Sequence, residues 1–125
     1  MLRHTFFAAL VTLSIANPAL ANGKPDIQAC KAMQATIAPR EAEIAELTAR
    51  RDASALQAED AGERWEDAEI HRLVSAAHAA TADRERAAYD AARQQLARDE
   101  LALQSTVKQF NTDVAVFNAR CSSAR

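Results

Sequence analysis

Glycine and proline are almost missing from this chain: there are two glycines and three prolines in 125 residues, and after residue 21 only Gly23, Gly62, Pro25 and Pro39 remain. Folds built on many tight turns need both residue types, one for positive φ and one for fixed φ, so loop-rich and all-β scaffolds are excluded. The same shortage removes the Gly-rich loop that cradles phosphate and the Gly-x-Ser-x-Gly turn that presents a nucleophile. A basic excess is also lacking. Lys and Arg total 15 against 17 Asp and Glu, so the chain has no electrostatic footprint for nucleic acid. After residue 21 no apolar stretch reaches the roughly 20 residues a membrane-spanning helix requires.

The one apolar run lies at the start. Met1-Leu2-Arg3-His4 supplies a short basic segment, Phe6 to Ala16 is apolar apart from Thr12 and Ser14, Pro18 breaks the helix, and Ala19-Leu20-Ala21 has the small-x-small pattern of a signal-peptidase site. Residues 1–21 therefore read as a cleavable secretory signal peptide, with cutting before Asn22. The first cysteine, Cys30, is too far downstream for lipidation. The expected exported remainder, residues 22–125, is a single domain. It loses one basic residue, Arg3, and so carries 14 Lys+Arg against 17 Asp+Glu, a net charge of -3. A periplasmic or secreted location follows, with no membrane insertion after cleavage.

What the remainder does contain is alanine, about a quarter of the whole chain, together with Glu, Gln, Arg and Leu, all good helix formers. An all-α fold is the expectation. Its two cysteines, Cys30 and Cys121, stand near the two ends, and in an oxidising compartment such a pair is expected to form one disulfide. The spacing matches neither a C-x-x-C redox site nor a zinc ribbon.

Heptads supply the architecture. Tyr89, Leu96, Leu103, Phe110 and Phe117 recur every seven residues; Ala92, Val107, Val114 and Cys121 fill neighbouring seam positions, and Cys30, Met33, Ile37, Ile44 and Leu47 form a matching stripe earlier in the chain. The fold predicted is a long antiparallel helical hairpin, coiled-coil-like and clasped by the terminal disulfide, with Asp26 capping the first helix. If Cys30 meets Cys121, facing residues have numbers that sum to about 151. That register brings Ile37 to Val114, Arg51 to Glu100, Gly62 to Tyr89 and Trp65 to Arg86, the last as a cation–π pair. The turn is expected near residues 75–80, with Ser75 or Thr81 as a cap. A break at Gly62, giving three helices, is the competing arrangement, and Pro39 predicts a kink or a short first helix. Toward the turn the seam becomes mostly alanine, which buries little area and predicts a marginally stable outer half.

Two groups of residues are functional candidates. Ile70, Leu73, Val74 and Ala77 read as a helical stripe near the tip, closing the tip's own small core or, as the functional alternative, forming a partner-binding surface. Glu63, Asp67 and His71 lie one helical turn apart and have the ligand types for a transition metal, although acid-rich helix faces ordinarily just face water. No catalytic residues and no cofactor motif stand out. The leading functional expectation is an exported, non-enzymatic interaction protein, an adaptor, inhibitor or small chaperone, whose partner is another periplasmic or extracellular protein or a second copy in a homodimer. The alternative is a periplasmic metal-binding or stress-buffering protein.

Overall fold

The structure, a computed structural model, describes residues 26–122; the expected leader, residues 1–21, lies outside them. Two helices account for nearly all of this stretch. They are α1, Ile27–Ile70, and α2, Ala76–Cys121, and they pack along each other as a hairpin. At 44 and 46 residues they are each about 65–70 Å long at ~1.5 Å per residue.

Both helices begin where the sequence supplies a cap. Asp26 is extended, and its carboxylate accepts the Gln28 backbone N–H at 3.0 Å. Ser75 is extended as well, and its hydroxyl accepts the His78 N–H at 3.3 Å. Each cap satisfies one of the amides that a helix start leaves without a partner.

The reversal comes a few residues before the predicted segment. It occupies residues 71–75 and uses no glycine and no positive φ. α1 tightens as it ends: the His71 and Arg72 amides bond back three residues, to the Ala68 and Glu69 carbonyls at 3.2 and 3.1 Å, and the single extended residue Ser75 redirects the chain. Residues 76–80, Ala-Ala-His-Ala-Ala, are strong helix formers and become the first turns of α2 instead of a loop. The three-helix arrangement does not occur. α1 runs unbroken through Pro39, so no short first helix forms, and it passes Gly62 without interruption.

The disulfide sets one end of the register. Cys30 and Cys121 are bonded, with Sγ–Sγ 2.08 Å and Cα–Cα 5.9 Å. Gly62 and Tyr89 do meet, so closely that a Cβ on residue 62 would lie 3.2 Å from Tyr89 Cε2. The missing side chain is what admits the ring. Arg86 sits 5.9 Å over Trp65, as the register requires, and Trp65 stacks on Tyr89 at 5.5 Å, with Arg93 5.6 Å over the tyrosine. The carboxylate that Arg51 Nε approaches is that of its neighbour Asp52, at 2.9 Å and off-axis for a hydrogen bond.

The seam follows strict heptads. Cys30, Ile37, Ile44, Arg51, Ala58 and Trp65 recur every seven residues along α1, and Arg72 in the turn keeps their phase, none of them exposed, while Ala82, Tyr89, Leu96, Leu103, Phe110 and Phe117 answer along α2. Two helices make only one seam, which decides what can be buried. Ala61 and Ala82 are covered best, at 2 % and 0 % exposure, because small side chains let the backbones approach. Among the described residues no large side chain is fully enclosed. The Phe and Ile residues near the clasp fill the seam but keep one edge open on each side. At about 25 cal/mol per Å² of apolar surface removed from water, the contribution per residue falls short of the ~1.5–3 kcal/mol of complete burial.

Candidate functional site

Apolar side chains that a fold leaves in water mark its contact surfaces more sharply than buried ones do. The tip is where they concentrate. Ile70 ends α1 at 78 % exposure, Leu73 in the turn is 97 % exposed, and Val74 beside it is 66 % exposed. Ala77, in the first turn of α2, is exposed too. These residues do not form the helical stripe expected of them. The helix stops at Ile70, so Leu73 and Val74 lie in the reversal and point away from the seam, and they close no core of their own.

Ion pairs cross the backbone beneath them. Arg72 folds back under the tip, giving two hydrogen bonds to the Glu69 carboxylate at 2.8 and 2.9 Å and reaching Asp83 of α2 at 2.8 Å. Glu69 first, then Asp83, holds the guanidinium charge in place, and the same Arg72 keeps the Glu69 carboxyl below the ordinary carboxylate range. One residue later the chain displays Leu73. Arg64, paired with Asp60 on its own helix and 3.3 Å from Glu85 on the other, ties the two arms together just behind the tip.

Charge is distributed unevenly along the rod. Residues 59–90, the outer third, hold nine acidic against four basic side chains, whereas the rest of the described residues hold eight of each. The apolar tip therefore stands on an acidic shaft.

The predicted metal ligands do not converge. Among the described residues no three His, Cys, Asp or Glu side chains are placed to hold an ion, so Glu63, Asp67 and His71 are not a common site. The reason is local. His71 caps α1 and has left helical geometry, and its Nδ1 donates to the Asp67 carbonyl at 3.0 Å, not toward that residue's carboxylate. Across the turn, however, its ring comes within 6.2 Å of the His78 ring, centroid to centroid.

A polar layer in mid-seam went unrecognised in the heptad pattern. Asp99 is 4 % exposed, accepts the Ser54 hydroxyl at 2.5 Å and the Gln95 amide at 3.0 Å, and faces no cation within ion-pair distance among the described residues. The Ser54 bond first, and the Gln95 bond second, hold its carboxyl below the ordinary range against the opposing effect of burial. The signal was available: counting by sevens from Met33 lands on Ser54, and Asp99 lies three residues after Leu96. A buried polar pair of this kind fixes alignment, because sliding one helix along the other would strand both groups in the seam.

Two open grooves, of about 360 and 250 Å³, flank the seam near the clasp, lined by Met33, Ile37 and Val116 on one side and by Ile37, Val114 and Phe117 on the other. Ile37 and Val114 thus share a wall, as the register predicted. The first groove holds the Asp113 carboxylate and the Thr36 hydroxyl, the second the Glu41 carboxylate. No helix among the described residues is long and apolar enough to cross a membrane. Compared with known proteins, the chain matches no family model, no curated protein and no solved structure.

Proposed function

We propose that the chain is an exported, non-enzymatic interaction protein that presents its tip to another protein, with the rod as a spacer and the Cys30–Cys121 bond as its base. The observation that carries this reading is the 97 % exposure of Leu73 on a backbone that Arg72 holds down. Arg72, paired with Glu69 and Asp83, favours the turn that displays Leu73, and a contact group already displayed before it meets its partner lowers the ordering cost of binding. The disulfide supports export, since such bonds persist in oxidising compartments.

The acidic outer third narrows the chemistry of the partner. A net charge of -5 on residues 59–90 repels anionic membrane surfaces and favours a protein whose apolar pocket has a basic rim. A photo-crosslinking residue at position 73, compared with the same residue at Leu101, tests this; Leu101 is 68 % exposed but lies on the shaft. Expected is a discrete adduct from position 73 alone, diminished by added salt. Adducts at twice the chain's own mass would identify the partner as a second copy. Equal labelling from both positions, or none from position 73, would overturn tip docking.

A further inference from the structure

His71 and His78 lie on opposite sides of the reversal, His71 at the end of α1 and His78 in the first turn of α2, with ring centroids 6.2 Å apart. Both are exposed. Each ring has its Nδ1 engaged: that of His71 with the Asp67 carbonyl at 3.0 Å, that of His78 with the Ser75 hydroxyl at 2.8 Å. A carbonyl can only accept, so His71 Nδ1 is the donor in that bond, and in the neutral ring the lone pair is on Nε2. Among the described residues no hydrogen bond engages either Nε2.

This is the arrangement found behind metal-ligating imidazoles, in which the nitrogen away from the ion is anchored to a carbonyl or other oxygen that fixes the ring and its tautomer. Distance agrees with it. A Zn–N bond of about 2.0–2.1 Å places each ring centroid about 3.2 Å from the ion, so two imidazoles on one ion are roughly 5 Å apart in tetrahedral geometry and roughly 6.4 Å apart in linear geometry. The observed 6.2 Å lies inside the wider limit and about 1 Å from the tighter one. A shift of about 0.5 Å by each exposed ring, within its own rotamer and with its Nδ1 bond kept, covers that difference.

We propose that His71 and His78 bind one borderline transition-metal ion, Zn²⁺, Ni²⁺ or Cu²⁺, as a clip across the turn. Imidazole nitrogen suits these ions, and their affinities at a given site rise from nickel to copper and fall again at zinc. With two protein ligands and no third among the described residues, water completes the coordination and the ion is exchangeable. The clip spans the segment that holds Leu73 and Val74, so an ion there joins the helix ends on either side of the exposed residues. The proposal does not depend on tip docking, because it is tested without any partner.

His71 and His78 are the only histidines after residue 21, His4 being the third. The untagged chain beginning at Asn22, ¹⁵N-labelled at histidine, is titrated with zinc chloride and followed by the imidazole nitrogen resonances, with calorimetry using zinc and nickel in parallel. Expected is saturation at one ion per chain at micromolar metal, large movement of both Nε2 signals, little movement of either Nδ1, and a higher thermal midpoint. His71→Ala and His78→Ala should each weaken binding at least tenfold while leaving the helical circular dichroism unchanged. Movement of one imidazole only, affinity within threefold of the parent in either variant, or no saturation with a hundredfold excess of zinc would each overturn the clip. The resonance shifts of the parent chain decide the matter even if a variant folds poorly.

Discussion

Replacing both cysteines, Cys30→Ser together with Cys121→Ser, opens a loop whose ends are 91 residues apart. In the chain-entropy description, closing a loop of that length removes about 16 cal/mol/K from the unfolded ensemble, or about 4.6 kcal/mol at 25 °C. A single domain has about 5–15 kcal/mol of stability in total. This one is poorly placed to absorb the loss, because no large side chain in its seam is completely buried. At about 4–8 °C per kcal/mol for a domain of this size, the thermal midpoint should fall by roughly 20–35 °C. Circular dichroism at 222 nm follows both helices, while fluorescence of the single tryptophan, Trp65, reports on the seam toward the tip. The parent chain held in reductant should match the double variant by both probes. A loss below about 1 kcal/mol would refute the reasoning, for it would mean that the seam alone holds the hairpin or that the unfolded chain stays compact without its clasp.

Three other outcomes follow from particular contacts. Pro39→Ala should stabilise the chain by about 1–3 kcal/mol in urea denaturation, since Pro39 lies inside α1, where proline removes a backbone hydrogen bond and crowds the preceding turn; a loss of stability would show that the proline sets a needed bend. Gly62→Val should cost about 1–3 kcal/mol, because even a Cβ at this position would lie 3.2 Å from the Tyr89 ring that stacks on Trp65, and extra methyl groups force a packed site apart; blue-shifted Trp65 emission with unchanged stability would contradict that account. The Asp99 carboxyl is held low, by Ser54 first and Gln95 second, so the folded state favours the carboxylate. Its contribution is complete above the unfolded-state value near 3.9 and is lost as pH falls from there through the lower folded-state value. Asp99→Asn should therefore lower the urea midpoint at pH 7 and show a smaller further decline than the parent below about pH 4; parallel pH profiles would remove Asp99 from the acid response.

Legibility differed from feature to feature for physical reasons. The hairpin, its caps at Asp26 and Ser75, the Cys30–Cys121 pairing and the meetings of Gly62 with Tyr89 and Trp65 with Arg86 could be read because each depends on spacing alone, once the two cysteines supply one point of register. The polar layer escaped because a search for apolar repeats passes over Ser54 and Asp99, although both keep the heptad phase. The tip was misread for another reason. A stripe at Ile70, Leu73, Val74 and Ala77 has helical spacing, but spacing says nothing about where the helix stops. The stop at Ile70 comes from a tightened last turn followed by the one extended residue, Ser75.

Composition and periodicity, then, determined the helices and the face each turns inward, because backbone propensity and the 3.5-residue repeat are carried locally along the chain, and the two cysteines added the antiparallel alignment. Tertiary structure alone decided that Leu73 stands in water, that Asp99 is buried with two donors, and that the imidazoles of His71 and His78 come within 6.2 Å of each other while Glu63 and Asp67 contribute nothing to that pair. Each of these depends on which atoms meet after the chain reverses, and the place of reversal follows from the cap that Ser75 supplies to α2 and from the weaker helix formers His71, Val74 and Ser75 between the two helices.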